Sequence, residues 1–158
     1  MNDPVRITPQ GELELVITRS FAAPRRRVFE AWTQPEHLRR WLGIQGGWIM
    51  PICSVDLRVG GEYRYEWRSA DGAMGVSGAF LDVQAPERLV ATERFDTPWY
   101  PGGALITHTF EEDGEERTRG TMTIRYDSRE ARDLVLASPM QEGMEQSFRM
   151  LDALLAGE

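Results

Sequence analysis

Residues 60–68 of this chain read GGEYRYEWR, and the alternation of charged and aromatic side chains in them predicts a β-strand. Tyr63, Tyr65 and Trp67 then share one face of the strand, while the charged side chains face water on the other. The aromatic face has to be covered, yet each of its rings carries a polar group. Rings with hydroxyl and indole N–H groups are typical of the wall of a partly polar cavity. We therefore expect this strand to line a cavity.

The rest of the chain predicts helices at both ends of a run of strands. A first strand over residues 13–21 precedes two short helices, which begin at Pro24 and Pro35 because proline is favoured at the first helical position. Further strands are predicted over residues 52–59, 62–68, 74–83, 89–95, 104–110 and 118–126. The apolar spacing of residues 139–156 predicts a final helix about 27 Å long, at roughly 1.5 Å per residue.

This order of elements predicts an α+β fold. Strands joined by short turns form an antiparallel sheet, here of about six or seven strands. We expect the sheet to curve round the long C-terminal helix and to leave a hollow between the two. Residues 1–10, which contain Pro4 and Pro9, are predicted to be a loose lead-in, and residues 11–158 to form one domain.

The composition argues against several classes of function. The chain has 158 residues with 18 basic and 25 acidic side chains, and a net charge of −7 disfavours nucleic acid or an anionic membrane as a main partner. No apolar stretch is long enough to span a membrane and no apolar leader is present, so we expect a cytoplasmic location. The single cysteine, Cys53, is predicted to be a buried thiol. Two histidines and one cysteine are too few for a zinc site, and no phosphate-loop or dinucleotide motif occurs, so no metal and no cofactor are expected.

Two titratable side chains are predicted to face the interior. By strand alternation, Glu93 lies on the face of Leu89 and Phe95, and His108 on the face of Ile106 and Phe110. An interior carboxylate has a raised pKa unless it is paired, and Glu93 either binds a ligand hydroxyl, acts as an acid or base, or pairs with an arginine or tyrosine. His108 is either a hydrogen-bonded interior histidine or the candidate for proton transfer.

Aromatic and methionine side chains complete the candidate site. Trp99 and Tyr100 lie between two prolines and resemble a lid or a dimer contact, with Trp48 as the opposing rim. The methionines of the last helix suit an irregular cavity wall, although a helical stripe is also typical of plain core. The candidate ligand-binding residues are Trp41, Trp48, Tyr63, Tyr65, Trp67, Phe80, Glu93, Phe95, Trp99, His108, Phe110, Met140, Met144 and Phe148.

Several segments resemble a known superfamily. They are residues 19–24 (RSFAAP), 28–33 (VFEAWT), 35–41 (PEHLRRW), 60–63 (GGEY), Gly78 with 86–89 (PERL), and 143–155. Together they resemble the START-like, helix-grip (SRPBCC) superfamily, and within it the homologues of the activator of the heat-shock-protein-90 ATPase. The resemblance implies a helix-grip fold. It does not select one function, because the superfamily includes lipid carriers, cyclase enzymes and co-chaperone modules.

Three functions are compatible with these observations. The first is binding of a hydrophobic or aromatic small molecule, lipid- or polyketide-like, in an internal cavity without catalysis. The second is a polyketide-cyclase-like enzyme in which His108 and Glu93 transfer protons. The third is a co-chaperone-like module whose partner is a chaperone or a second copy of this chain. We expect binding rather than catalysis, because no catalytic motif is present.

Overall fold

The computed structural model describes residues 4–157 and shows an α+β fold with a single antiparallel sheet. These residues form eight strands and four α-helices. The strands are β1 (Arg6–Gln10), β2 (Glu14–Phe21), β3 (Ile49–Val55), β4 (Glu62–Ser69), β5 (Gly72–Gln84), β6 (Arg88–Phe95), β7 (Ala104–Glu112) and β8 (Thr118–Tyr126). The helices are α1 (Arg25–Thr33), α2 (Pro35–Leu38), α3 (Arg129–Leu136) and α4 (Met140–Leu155).

The strand order in the sheet is β1-β2-β8-β7-β6-β5-β4-β3. Strands β3 to β8 form a meander, and β2 returns to pair with β8, with α1 and α2 inserted after β2. This arrangement confirms the α+β prediction and is consistent with the helix-grip fold. The aromatic strand β4 lies next to the edge strand β3, on the side of the sheet farthest from β1.

The strand count is higher than predicted because the segment predicted as a loose lead-in contains β1. Arg6–Gln10 pairs antiparallel with β2, and Pro9 lies opposite Leu15. Proline lacks the N–H that an interior ladder needs, but an edge strand has one unpaired side and accepts it. Pro9 is therefore compatible with an edge strand, and Pro4 precedes β1.

Two further boundaries differ from the sequence predictions. The strand predicted over residues 52–59 begins at Ile49 and ends at Val55, so Leu57 and Val59 lie in the following loop and are exposed. Ser138 precedes α4, where serine is a favoured capping residue, but its hydroxyl donates to the Val135 carbonyl at the end of α3 instead.

Helix α4 is fixed to the sheet by an ion pair and by ring packing. The Arg19 guanidinium on β2 donates to both carboxylate oxygens of Asp152 on α4, at 2.7 and 2.6 Å. The rings of Phe21 and Phe148 meet edge to face with centroids 5.4 Å apart. Arg19 is only 5% exposed, so the pair lies within the core between helix and sheet.

Among the described helices, none is both long enough and apolar enough to cross a membrane.

Candidate functional site

An internal cavity of about 150 Å³ lies where the sheet faces α1, α2 and the loop after α2. Seven of the predicted site residues line it: Tyr63, Tyr65, Trp67, Phe80, Glu93, Phe95 and His108. Its remaining wall comes from residues that the sequence analysis did not assign to the site: Trp32, Leu38, Leu42, Val76, Leu89, Ala91, Ile106 and Met122. Side chains from β4, β5, β6, β7 and β8 thus meet at one hollow.

The aromatic face of β4 forms one wall of this inner cavity. The Tyr63 and Tyr65 rings lie 4.9 Å apart, and Tyr65 and Trp67 meet edge to face at 5.8 Å. Phe80 on β5 continues the row at 5.5 Å from Tyr63. Strand alternation turns these side chains to the same side, and the neighbouring strand supplies the fourth ring.

Two of the polar groups in this row bind backbone instead of being available to a ligand. The Tyr63 hydroxyl donates to the Thr92 carbonyl at 2.6 Å, and the Trp67 indole N–H donates to the Leu42 carbonyl at 2.9 Å. Tyr63 therefore contributes its ring to the candidate site, while its hydroxyl is bound to the backbone. The hydroxyl of Tyr65 makes no hydrogen bond among the described residues, so it is the phenol on β4 that a ligand can use.

Glu93 is the carboxylate of the inner cavity. It lies on the inward face of β6, and the Tyr100 hydroxyl donates to Glu93 Oε1 at 3.3 Å. Burial raises the pKa of Glu93 to about 7, and the Tyr100 hydrogen bond opposes this increase. The sequence left a raised pKa and a tyrosine partner open as alternatives, and the structure shows both, with a pKa of about 7.

Tyr100 was predicted to be part of an exposed lid, but it is 4% exposed. Its ring packs edge to face against Tyr126 at 5.2 Å, and its hydroxyl reaches Glu93. Neither tyrosine was recognised from the sequence as a neighbour of Glu93. Strand alternation was enough to place Tyr126 on the inner face with Ile124, whereas Tyr100 lies in a loop without a periodic signal.

His108 lies inside, as predicted, but it is held by rings rather than by hydrogen bonds. Its imidazole is 4.9 Å from the Trp32 ring and stacks on Phe110 at 6.1 Å. Among the described residues it has no hydrogen-bond partner, which differs from the expected hydrogen-bonded histidine. Burial lowers the pKa of His108 to about 4, so the imidazole is neutral at physiological pH.

Trp32 presents an unpartnered donor in the same region. Its indole Nε1 is buried and has no hydrogen-bond partner among the described residues. A buried donor without an acceptor costs about 1–3 kcal/mol, so an acceptor from a ligand or a water would stabilise this group. The only sequence signal for Trp32 was its place in the apolar stripe of α1, which does not distinguish a core residue from a site residue.

A second, open groove of about 780 Å³ borders the inner cavity. Of the predicted residues, Trp48, Trp67, Trp99 and Met140 line it. Trp67 lines both spaces and is the residue that they share. Trp99 is 47% exposed and stands at the rim with Trp48, as the sequence analysis expected.

The remaining predicted residues are packed into or against the core. Trp41 is fully buried and donates its indole N–H to the Ala31 carbonyl at 2.9 Å. Phe110 and Phe148 lie in the core on either side of a void of about 20 Å³, which is too small for a ligand. Met144 packs against the core. The stripe of α4 therefore acts mainly as core, the alternative that the sequence left open.

Other chemistry-bearing groups do not extend the site. Cys53 is buried, and burial raises the pKa of its thiol to about 11, so it is a structural thiol as predicted. Within residues 4–157, no group of three or more His, Cys, Asp or Glu side chains is arranged to hold a metal ion.

The family model for Activator of Hsp90 ATPase homolog 1-like protein matches residues 22–156. The chain belongs to this family. The match extends from the start of α1 to the end of α4 and so includes every element that lines the inner cavity. It confirms the resemblance drawn from the sequence segments. No curated protein matches the chain.

Solved structures with the same fold as this AHSA1-like chain come from several organisms. A Rhodobacter sphaeroides protein is 32% identical, with a TM-score of 0.92 over 99% of this chain and 100% of that one. A Mycobacterium smegmatis protein is 27% identical, with a TM-score of 0.83 over 96% and 97% of the two chains. An Hsp90 activator from Plasmodium falciparum is 23% identical, with a TM-score of 0.56 over 72% of each chain, and is similar in fold alone.

The raised pKa of Glu93 in this AHSA1-like fold predicts how stability depends on pH. Because the folded-state pKa of about 7 exceeds the value of about 4.3 in an unfolded chain, the folded state holds the proton more tightly. The stabilisation is present below about pH 4 and is lost as the pH rises through about 7. We expect Glu93→Gln, which is neutral throughout, to be more stable than the unaltered protein by about 2 kcal/mol at about pH 8.

Urea unfolding at about pH 5 and pH 8 measures this difference. Glu62→Gln is the matched control, because Glu62 lies on the exposed face of β4. Its unfolding free energy should differ from that of the unaltered protein by the same small amount at both pH values. A Glu93→Gln variant that is destabilised equally at both pH values would contradict a raised pKa for Glu93.

Proposed function

We propose that this protein binds a small hydrophobic or aromatic molecule, lipid- or polyketide-like, through the inner cavity and the adjoining groove. The observation that carries the proposal is an aromatic-walled cavity of about 150 Å³ with a carboxyl group inside it. A concave, mostly apolar space that contains a few convergent polar groups is the usual form of a small-molecule site. The phenol of Tyr65, the carboxyl of Glu93 and the indole N–H of Trp32 are the groups available to orient a ligand.

The two volumes indicate the size of the ligand. An apolar cavity of about 150 Å³ is large enough for a single benzene-like ring. Pockets for larger ligands measure about 300–1,000 Å³, which is the range of the outer groove at about 780 Å³. The proposal is therefore that one ring enters the inner cavity and that a tail extends past Trp67 into the groove.

Binding is better supported than catalysis because the two proton-transfer candidates lie apart. Glu93 pairs with Ala104, and His108 pairs with Leu89, so four residues of β6 separate them. Their backbones are about 13 Å apart at roughly 3.3 Å per residue. General acid–base partners have to reach one reacting group within hydrogen-bond distance, and His108 has no partner that orients it as a base.

A chaperone contact is the second candidate, and family membership favours it. The rim of the groove carries exposed apolar side chains, with Trp99 47% and Met74 44% exposed. Such side chains are typical of interaction sites when they form a patch. A change in the ATPase rate of an Hsp90 chaperone when this protein is added would support this candidate.

Filling the inner cavity should abolish ligand binding. Ala91 lies on β6 inside the cavity and is 6% exposed, so Ala91→Leu occupies the space that a ring requires without removing a hydrogen bond. We expect this variant to bind 4-hexylphenol at least about tenfold more weakly than the unaltered protein. Isothermal titration calorimetry and quenching of tryptophan fluorescence measure the affinity.

Ala79→Leu is the matched control, because Ala79 lies opposite Glu62 on the outer face of the sheet. Its affinity for 4-hexylphenol should equal that of the unaltered protein. If Ala91→Leu binds as tightly as the control, the inner cavity is not the ring site. If the unaltered protein binds no ring compound, the proposed function is wrong.

A further inference from the structure

We propose that the ligand of the inner cavity carries a positive charge, as an ammonium group held by the Glu93 carboxylate and the rings around it. This inference rests on the proposed function, since it names the chemical class of ligand for the same site. Three features of the cavity support it: the lack of a cation beside Glu93, the weak hydrogen bonding of its carboxylate, and the aromatic wall.

No positive group of the protein accompanies the carboxylate inside the cavity. Among the residues that line the cavity, the side chains that titrate are Glu93, His108 and the tyrosines, and none is an arginine. Arg94 and Arg125 border a second pocket that Glu93 also lines, but neither arginine donates a hydrogen bond to the Glu93 carboxylate. A buried carboxylate without a partner is costly, so a cationic ligand would supply the charge that the protein leaves out.

The hydrogen bonding of Glu93 is also incomplete. The Tyr100 hydroxyl donates to Oε1 at 3.3 Å, which is long for a hydrogen bond between two oxygens. No other described side chain donates to either oxygen of this carboxylate. An ionised carboxylate accepts several hydrogen bonds, and an ammonium group has several N–H donors to offer.

The aromatic wall favours the same charge. Tyr63, Tyr65, Trp67 and Phe95 line the cavity, and the face of an aromatic ring attracts a cation within about 6 Å of its centroid. The same ring faces and the carboxylate repel an anion. The net charge of −7 also raises the local concentration of cations around the protein.

Among Glu93 and the titratable groups that face it, Glu93 is the one whose charge changes near neutral pH. Burial raises the pKa of every facing tyrosine and lowers the pKa of His108 to about 4, so these groups are all neutral there. The facing groups are Tyr63 and Tyr65 on β4, Tyr100 in the β6–β7 loop, His108 on β7 and Tyr126 on β8. A cation binds the ionised form of Glu93, so its affinity should increase as the pH rises through about 7.

Three benzyl compounds of similar size and different charge test the inference: benzylammonium, benzyl alcohol and benzoate. In calorimetric titrations of the unaltered protein at about pH 8, we expect benzylammonium to bind about 10- to 100-fold more tightly than benzyl alcohol, and benzoate not to bind. Glu93→Gln should remove this preference, so that the variant binds benzylammonium no more tightly than benzyl alcohol. Glu62→Gln, whose carboxyl lies on the outer face, should keep the preference.

The pH profile of the unaltered protein is a second measurement that needs no variant. Between about pH 5.5 and pH 7 the affinity for benzylammonium should rise by nearly tenfold per unit, and it should level off above, because binding releases the Glu93 proton. Over the same range benzyl alcohol, which carries no charge, should show no such rise.

The outcomes separate this inference from the proposed function. Equal affinity for benzylammonium and benzyl alcohol, unchanged benzylammonium binding in Glu93→Gln, or a flat pH profile overturns the positive charge and leaves a neutral small-molecule site. If 4-hexylphenol and all three benzyl compounds fail to bind the unaltered protein, both the inference and the proposed function are wrong.

Discussion

Asp152→Ala should lower the free energy of unfolding by about 3–5 kcal/mol, because it leaves a buried guanidinium without its partner. Arg19 is 5% exposed, and both of its terminal nitrogens bind the Asp152 carboxylate. The Arg19 guanidinium also lies over the Phe21 and Phe148 rings, with its central carbon 5.0 and 5.4 Å from their centroids. Without the carboxylate, the Arg19 guanidinium can be hydrated only if the packing of α4 changes. Urea unfolding followed by tryptophan fluorescence measures the loss.

Two variants serve as controls for this prediction. Glu112→Ala removes a carboxylate that pairs with Arg25 at 3.5 Å but is 70% exposed, and it should change the unfolding free energy by less than about 1 kcal/mol. The double variant Arg19→Met with Asp152→Leu removes both charges and should be closer in stability to the unaltered protein than Asp152→Ala is. A cost for Asp152→Ala as small as that for Glu112→Ala would show that Arg19 reaches water.

Gly78→Ala should destabilise the fold by about 4 kcal/mol, because a side chain at this position overlaps two neighbouring strands. Gly78 on β5 lies opposite Tyr63 on β4, and the Tyr63 ring crosses β5 at the glycine to reach the Thr92 carbonyl on β6. An added Cβ would overlap the Thr92 carbonyl oxygen and lie 2.6 Å from the Tyr63 hydroxyl. No change of rotamer moves a backbone carbonyl, so the strands would have to separate.

Gly143→Ala is the matched control for this substitution. Gly143 lies inside α4, and an added Cβ would meet nothing within 4 Å. Alanine is the better helix former, so this variant should gain about 0.5–1 kcal/mol. Thermal and urea unfolding measure both variants. If Gly78→Ala loses no more than about 1 kcal/mol, the Tyr63 ring does not lie across β5 as the structure shows.

Much of the fold was predictable because its signals are local. The alternation of β4 and the apolar stripe of α4 correctly predicted a strand and a long helix at these places. Strand β1 was not predictable from its composition. A strand tolerates Pro9 only at the edge of the sheet, and the sequence does not show which strand lies there.

For the candidate site, the sequence predicted which face of a strand a side chain takes, but not how the side chains are arranged. Alternation placed Glu93 and His108 inside, and the structure confirms both positions. Alternation did not distinguish residues of the inner cavity from those of the outer groove. It also did not identify Trp41 as a buried core residue. The position of Tyr100 between two prolines predicted a lid. Its hydroxyl instead contacts Glu93, and no local sequence pattern indicates such a contact between a loop and a strand.

The face on which Tyr63, Tyr65 and Trp67 lie follows from the sequence, since side-chain alternation is a property of each strand alone. Whether their polar groups are free depends on the tertiary structure. Tyr63 and Trp67 bind the carbonyls of Thr92 and Leu42, which lie 29 and 25 residues away in the chain. Only the order of the strands in the sheet and the position of the loop after α2 bring these partners together. The tertiary structure therefore decides that the β4 wall offers a ligand its rings and the Tyr65 hydroxyl.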